Sequence, residues 1–402
     1  MRSSDLIERA EAKVRQAMAQ ASAQMIPGLV DETAAQAGFT TGVLPSQRIR
    51  DLVGNDILID SPLDDDQIQP SSIDLRLGDV AWRVRSSFLP GPKSTVEGKL
   101  KDLGMHQIDL TDGAVLERGC VYIVPLQEAV RMTGELAGVA NPKSSTGRLD
   151  IFTRVITDYA TEFDRVPKGY KGRLYAEVSP RTFSVIVRRG SRLCQLRLRR
   201  GSPVFGEKTL VRLHEQYRLV DTPEGAAGSI RDNSIAFTLD LEGSGEGSLV
   251  GYRAKQHTDV IDVDRKAALD PQDFWEPIHA RVATALILNP DDFYILATRE
   301  RVKVPPEHAA EMVAYDTLIG EFRVHYAGFF DPGFGWSPDD NAGSRGVLEV
   351  RSHEVPFLLE HGQIMGRLRY ERLTDVPDML YGTDLGSHYQ GQALALSKHF
   401  KR

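Results

Sequence analysis

Apolar positions change period once along this chain. From about residue 4 to 25, Leu6, Ala10, Val14, Met18 and Ala21 recur at helical spacing among Glu, Lys, Arg and Gln, and Pro27-Gly28 ends the run. This predicts a packing helix with a weak, Ala-rich face, in preference to a membrane-surface helix. A second, short helix is predicted between Ser46 and Asn55, where Ile49, Leu52 and Val53 share a face. Beyond it the pattern becomes strand-like. Residues 73–77 and 194–199 alternate, as half-buried strands do, whereas 121–124, 174–178 and 183–187 are more continuously apolar, as in buried strands. Gly or Pro punctuates nearly every segment, and no long helices alternate with the strands. The expectation is a mainly β fold, a sandwich, jelly roll or barrel, and not a doubly wound α/β sheet.

The strand pattern is written twice. Residues 119–133 leading to 136–142 are answered by 292–304 leading to 309–315, and Asp158-Tyr-Ala160 by His325-Tyr-Ala327. Likewise 172–178 is answered by 346–350, and 189–198 by 361–370. The matched order predicts a duplicated β unit: a helical leader over 1–40, one unit over 41–221, and a second over 230–402. The Gly- and Ala-rich stretch 222–229 reads as the linker between them.

Composition narrows the function. No apolar run approaches the ~18 residues of a membrane span. The net charge of −7 argues against a general nucleic-acid binder. The N-terminal stretch carries Asp5, Glu8 and Glu11, unlike an export signal, and the chain has only two cysteines, so a reducing cytoplasm is expected. Cys120 and Cys194 are too far apart for a Cys-x-x-Cys site. The His-Glu pairs at His214 and His353 lack the second His of a zinc protease helix, and neither a Walker loop nor a Gly-x-Ser-x-Gly elbow occurs.

Two features could carry chemistry. In Asn141-Pro-Lys-Ser-Ser-Thr-Gly-Arg148, backbone N–H groups, hydroxyls and cations could wrap a phosphate chain, although such a run also suits an ordinary surface turn. In each repeat a turn precedes a strand with one carboxylate among apolar neighbours, Glu177 and Glu349. A buried, unpaired glutamate gains a raised pKa that suits acid–base work; a structural glutamate is satisfied by Arg or backbone donors instead.

Taken in order, Pro70-Ser-Ser-Ile-Asp-Leu-Arg-Leu-Gly78, Lys143-Ser-Ser-Thr-Gly-Arg148, Gly169-Tyr-Lys-Gly172 and the Glu177 strand resemble the dCTP deaminases of the trimeric dUTPase superfamily. The second repeat resembles the same family through Ala327-Gly-Phe-Phe-Asp-Pro-Gly333, Glu349 and Gly362-Gln-Ile-Met-Gly-Arg-Leu368, and His388-Tyr-Gln-Gly-Gln392 resembles its nucleotide-closing tail. The resemblance covers nearly everything after Thr40. It implies tandem dUTPase-like distorted jelly-roll units, homo-oligomeric packing with sites between neighbouring units, and a zinc-free mechanism on dCTP. Water would attack C4 of cytosine while a glutamate, Glu177 or Glu349, moves protons. Ser144 would position the water, Arg148 would support developing charge, and Lys143, Ser145 and Arg165 would contact phosphate, with Mg²⁺ bridging the triphosphate. His325, Ala327 and Asp331 would line the nucleoside pocket, and Tyr389 and Gln392 would belong to the lid.

The repeats depart from the family in complementary ways. The first keeps the phosphate motif but has Pro167-Lys168-Gly169 in place of Asp-Pro-Gly. The second keeps Asp331-Pro-Gly333 but has Ala314-Tyr-Asp-Thr-Leu318 in place of Ser-Ser-x-x-Arg. This suggests a composite site, the phosphate grip of the first repeat facing Glu349 of the second. The rival is a site made wholly from first repeats around Glu177. Deamination of dCTP is the leading reading, with dUTP diphosphatase or a bifunctional enzyme as alternatives, a non-catalytic nucleotide sensor as another, and dTTP as a possible family regulator.

Overall fold

A computed structural model describes residues 41–221, 230–282, 285–314, 322–324, 328–337, 343–352, 354–382 and 394–401. The helical leader and the 222–229 linker expected from the sequence lie outside these residues. The short helix is Ser46–Leu52, with Ile49 buried. Almost all other regular structure is β.

Each repeat builds two main antiparallel sheets, and the strand order is the same in both. In the first repeat one sheet runs Arg165–Val166, Leu136–Pro142, Arg192–Arg200, Ser72–Arg76, Ile68–Gln69. Its counterpart runs Phe329–Phe330, His308–Ala314, Ile364–Arg372, Ser234–Thr238, Ile230–Arg231. The other sheet runs Ile151–Thr157, Lys171–Pro180, Val121–Arg131, Val80–Val84, Gly104–Asp109. Its counterpart runs Phe322–Val324, Ser344–Ser352, Phe293–Val302, Leu249–Ala254, Trp275–His279. The other matched segments occupy equivalent strands, while 325–327, the counterpart of 158–160, lies outside the described residues. Even a turn is repeated: Gly190 and Gly362 precede equivalent strands, with φ of 88° and 77° that L side chains avoid.

The repeats share their cores. Phe274, Trp275, Phe293 and Phe400 of the second repeat belong to the same apolar cluster as Ile73, Leu75 and Ala176 of the first, and Phe183 meets the rings of Phe274 and Trp275 edge-on at 5.8 and 5.6 Å. Ile261–Asp262 adds in parallel to the edge of Val185–Val187. The helix Glu207–Tyr217 places Leu210 and Leu213 in the second cluster, with Phe237, Leu296 and Tyr370. No helix among the described residues is long and apolar enough to cross a membrane.

One expectation changes here. Residues 73–77 and 194–199 alternate in sequence yet are buried on almost every position, not half-buried. Their polar residues point into other protein rather than into water. Asp74 pairs with Lys143, Arg76 Nε donates to Glu128 at 2.8 Å, and Arg197 enters the second repeat. Alternation reports which side chains differ in polarity, and a second layer of structure decides whether the polar face is wet.

Arg197, fully buried, shows how that layer is held. Its Nη1 donates to the Ala310 carbonyl at 3.0 Å and to Glu371 at 3.4 Å, its Nη2 donates to Ser71 Oγ at 3.1 Å, and its guanidinium lies 4.0 Å from the Phe329 ring centre. Arg199 adds a 2.9 Å bond to Glu371. Removing one member of such a cluster leaves buried charge without its partner. Arg197→Leu is therefore expected to cost about 3–5 kcal/mol in urea unfolding; a loss below about 1 kcal/mol would mean the cluster does not hold the repeats together.

Candidate active site

In the strand Ser344–Ser352, Glu349 and Arg351 are two residues apart and so face the same side. On the first repeat, Arg148 and Asp150 leave the short helical turn Ser144–Gly147 with the same spacing. Arg351 Nη2 donates to Asp150 Oδ2 and, at 2.8 Å, to Thr182 Oγ1; the Thr182 hydroxyl in turn donates to Asp150 Oδ2 at 2.6 Å. Asp150 turns the chain with a φ of 54°, a conformation that Asp tolerates. The pair brings Glu349 of the second repeat within the electrostatic reach of Arg148 of the first.

Glu349 is buried and forms no ion pair among the described residues. Burial pushes its carboxyl up to about 8; Asp150 acts in the same direction and the Arg148 charge opposes both. The group is thus a protonated acid near neutral pH that can ionise without leaving its site.

Glu177, at the equivalent place in the first repeat, has a different environment. Its Oε1 accepts from Arg154 Nε at 3.1 Å and from Arg154 Nη2 at 2.5 Å. The Arg154 guanidinium is packed 3.5 Å from the Phe163 ring centre and 4.6 Å from that of Phe152. Asp164, half-buried nearby, is pushed up to about 7, chiefly by loss of water, with the Glu177 charge adding to the effect. The first repeat has turned its glutamate into a buried ion pair.

The phosphate-type motif forms a tight turn. Thr146 and Gly147 N–H groups donate to the Lys143 carbonyl at 2.8 and 3.0 Å. Ser144 is exposed at its start, Ser145 is buried, and Lys143 reaches Asp74. The C-terminal segment lies against this turn: Ser397 Oγ donates to the Ser145 carbonyl at 2.8 Å, and Arg148 Nη1 donates to the Ala395 carbonyl at 2.9 Å. Lys143, Ser144, Ser145, Arg148 and Glu349 are therefore gathered in one region.

Other expected residues lie elsewhere. The Arg165 side chain is 56% exposed, pairs at 3.9 Å with Glu162, and is not tied to Arg148 or Glu349 by any described contact. Asp331 accepts from Ser71 Oγ at 2.5 Å and faces Arg197, so it sits in the contact between the repeats. His325, Ala327, Tyr389 and Gln392 fall outside the described residues. Cys194 is a buried core side chain whose thiol is pushed well up by burial, and Cys120 is half-buried. Among the described residues no group of three or more His, Cys, Asp or Glu could hold a metal ion.

Sequence reasoning missed Arg351, Asp150, Arg154 and Ser397. The first two carried a signal: a charged residue two positions after each candidate, on the same face of its segment. Arg154 also alternates toward Glu177, its direct cross-strand neighbour in the register of the sheet, but that register exists only once the strands pair.

This geometry can be set beside known proteins. The family models described as the N-terminal and C-terminal domains of 2'-deoxycytidine 5'-triphosphate deaminase match residues 40–202 and 206–400. The crystal structure of 2'-deoxycytidine 5'-triphosphate deaminase from Agrobacterium tumefaciens is 56% identical, with a TM-score of 0.79, over 83% of this chain and 100% of that one. The dUMP-forming dCTP deaminase of Halobacterium salinarum is 36% identical over 110 residues, 26% of this chain and 52% of that protein, so this chain spans about half the length of that relative. The dUMP-forming dCTP deaminase of Methanobrevibacter smithii is 30% identical over 144 residues, 35% of this chain and 70% of that protein. With both halves matched in order on two β units of dUTPase-like fold, the chain belongs to the dCTP deaminase family, as a tandem-duplicated member.

Proposed function

We propose that this chain hydrolyses dCTP to dUTP and ammonia at a composite site, in which the Lys143–Arg148 turn of the first repeat serves Glu349 of the second. The observation that carries the reading is the contrast between the glutamates: Glu177 is held by Arg154, while Glu349 is buried, unpaired and within the field of Arg148.

The chemistry follows from the protonation state. Glu349 enters as an acid and gives its proton to N3 of the cytosine, which makes C4 electrophilic. As a carboxylate it then takes a proton from the water that Ser144 orients, and the water oxygen bonds to C4. That proton passes to the exocyclic amine, the C4–N bond breaks and ammonia leaves, while the C4 hydroxyl returns its proton to Glu349, which forms the C4 carbonyl and restores the acid. Arg148 stabilises the ionised glutamate between these steps. The reaction as proposed runs without zinc. Asp66 and Asp74, the carboxylates beside the phosphate turn, are engaged by Arg192 and Lys143. A Mg²⁺ ion would therefore be held mainly by triphosphate oxygens and water, where it would neutralise phosphate charge. A second reading is favoured by the curated relatives, which are named as dUMP-forming: the same site would also release pyrophosphate.

Three outcomes test these statements. With dCTP and Mg²⁺, the protein should release ammonia; dUTP as the product supports deamination alone, dUMP with pyrophosphate supports the second reading, and no ammonia sinks both. Glu349→Gln should lower kcat by at least about 100-fold, whereas Glu177→Gln should keep turnover and lose thermal stability; the reverse pattern would return the site to the first repeat. Turnover should also fall as pH rises past about 8, where Glu349 loses its proton.

The same group affects stability. Its folded pKa of about 8 exceeds the ordinary 4.5, so between these values the folded protein holds a proton that the unfolded chain releases. Stability from this group therefore falls as pH rises through that window, and the fall is complete above it. Glu349→Gln lacks the effect, so its Tm advantage over wild type should widen from pH 5 to pH 9; a constant gap would show that Glu349 is not a buried neutral acid.

A further inference from the structure

Each repeat carries a small additional sheet, closed in the first repeat and open in the second. In the first, Val185–Val187 lies between Ala114–Leu116 and Ile261–Asp262. Ile261 N–H donates to the Ser184 carbonyl at 3.0 Å and Val263 N–H to the Ile186 carbonyl at 3.2 Å, so the Ile186 carbonyl faces the added strand. In the second repeat, Phe357–Glu360 pairs with Ala285–Leu288, and no described segment pairs with its other edge. Counting back from the equivalent glycines Gly190 and Gly362 puts Leu358 in the place of Ile186 and Glu360 in that of Arg188. The cross-strand partners agree, Val115 for Ile186 and Ile287 for Leu358. The following turn is repeated too: Arg188 N–H donates to Ser191 Oγ at 2.9 Å, and Glu360 N–H to Gln363 Oε1 at 3.2 Å. The Leu358 backbone therefore faces outward, along the open edge.

This edge is apolar as well as open. Leu358 and Ile287 are 52% and 58% exposed, whereas Val115 is 38% exposed and Ile186 half-buried. An open strand edge with exposed apolar side chains is a template for another strand. Charge then selects the occupant. In the first repeat Arg188 donates to Asp262 at 2.8 Å and to Asp264 at 2.7 Å. Glu360 would repel such an acidic strand, which disfavours the 261–264 segment of another copy. The edge does fit itself. With two copies antiparallel and Leu358 on the two-fold axis, each Leu358 N–H meets the other copy's Leu358 carbonyl. Glu360 then falls opposite Pro356 and Glu354 opposite Gly362, so no like charges are directly opposed. Leu358 and Ile287 of both copies form one apolar strip, withdrawn from water by the contact.

We propose that the edge Phe357–Glu360 is a self-association surface, on which a second copy of this chain adds antiparallel across a two-fold axis and joins the two small sheets into one. The inference is independent of the proposed reaction. Duplication accounts for the asymmetry: the second repeat seals the edge of the first within one chain, and no third repeat follows to seal its own.

Sedimentation of the full-length protein over a concentration series reads the contact. Wild type should form an assembly with an even number of chains. Leu358→Lys should halve its mass, or weaken association at least about tenfold, because two ammonium groups would meet on the axis. Ile287→Lys should act in the same direction. Both side chains are exposed in the single chain, so both variants should keep the wild-type circular dichroism. Leu358→Cys tests the register. Directly paired residues of an antiparallel sheet stand about 5.5 Å apart between Cα atoms, within disulfide reach, so mild oxidation should join two chains. Val211→Cys, on the exposed side of the Glu207–Tyr217 helix, should not. A single-chain mass at every concentration overturns the proposal and leaves the edge to a strand from another protein. A mass that Leu358→Lys leaves unchanged overturns it too, as does cross-linking of Leu358→Cys no faster than that of Val211→Cys.

Discussion

The pair between Arg351 and Asp150 is the contact that brings the two halves of the candidate site together. Each residue stands two positions beyond a candidate group, and each lies in a segment whose geometry turns that spacing into a shared face. Joining the two charges therefore also juxtaposes Glu349 and Arg148. The pair is buried and supported by Thr182, so water competes for it poorly. A site assembled this way needs no long side chain to reach across the gap between repeats, because the backbones have already been brought into register.

The same logic recurs deeper in the molecule. Arg197, Arg199, Glu371 and Asp331 form a charged cluster where two apolar faces might have met. Such a cluster is weak support for stability compared with a packed apolar contact, because desolvation offsets much of the attraction. It is demanding in geometry, however, since any slip of one repeat leaves a charge unpaired in the interior. We read the ionic contacts as restricting the repeats to one arrangement, with the aromatic cluster around Trp275 and Phe183 adding apolar burial between them.

Duplication also lets equivalent positions diverge. Glu177 and Glu349 occupy matching strands beside matching neighbours, yet Arg154 makes one a structural ion pair while the other stays neutral through burial. The chemical difference between them lies almost entirely in what surrounds them. This is why the residue type in the motif could not distinguish the two.

By itself the sequence determined the β class, the repetition and the family. Strand periodicity and Gly or Pro punctuation are local properties, and matched segment order survives without knowledge of contacts; the equivalent strand orders of the two repeats are their direct expression. The sequence also marked Lys143, Ser144, Arg148 and Glu349 as worth attention. Only the tertiary structure decided which of them meet. Alternation in residues 73–77 and 194–199 suggested a wet face, but Lys143 and Glu128 of the same repeat cover Asp74 and Arg76, and the second repeat covers Arg197, which becomes an interior residue. Arg165 and Asp331 shared a motif order with the site and yet lie at other contacts. The reason is physical: polarity and period are written along one dimension, whereas burial, charge pairing and the pKa of a carboxyl depend on neighbours that are distant in sequence and arrive only when the two repeats close on each other.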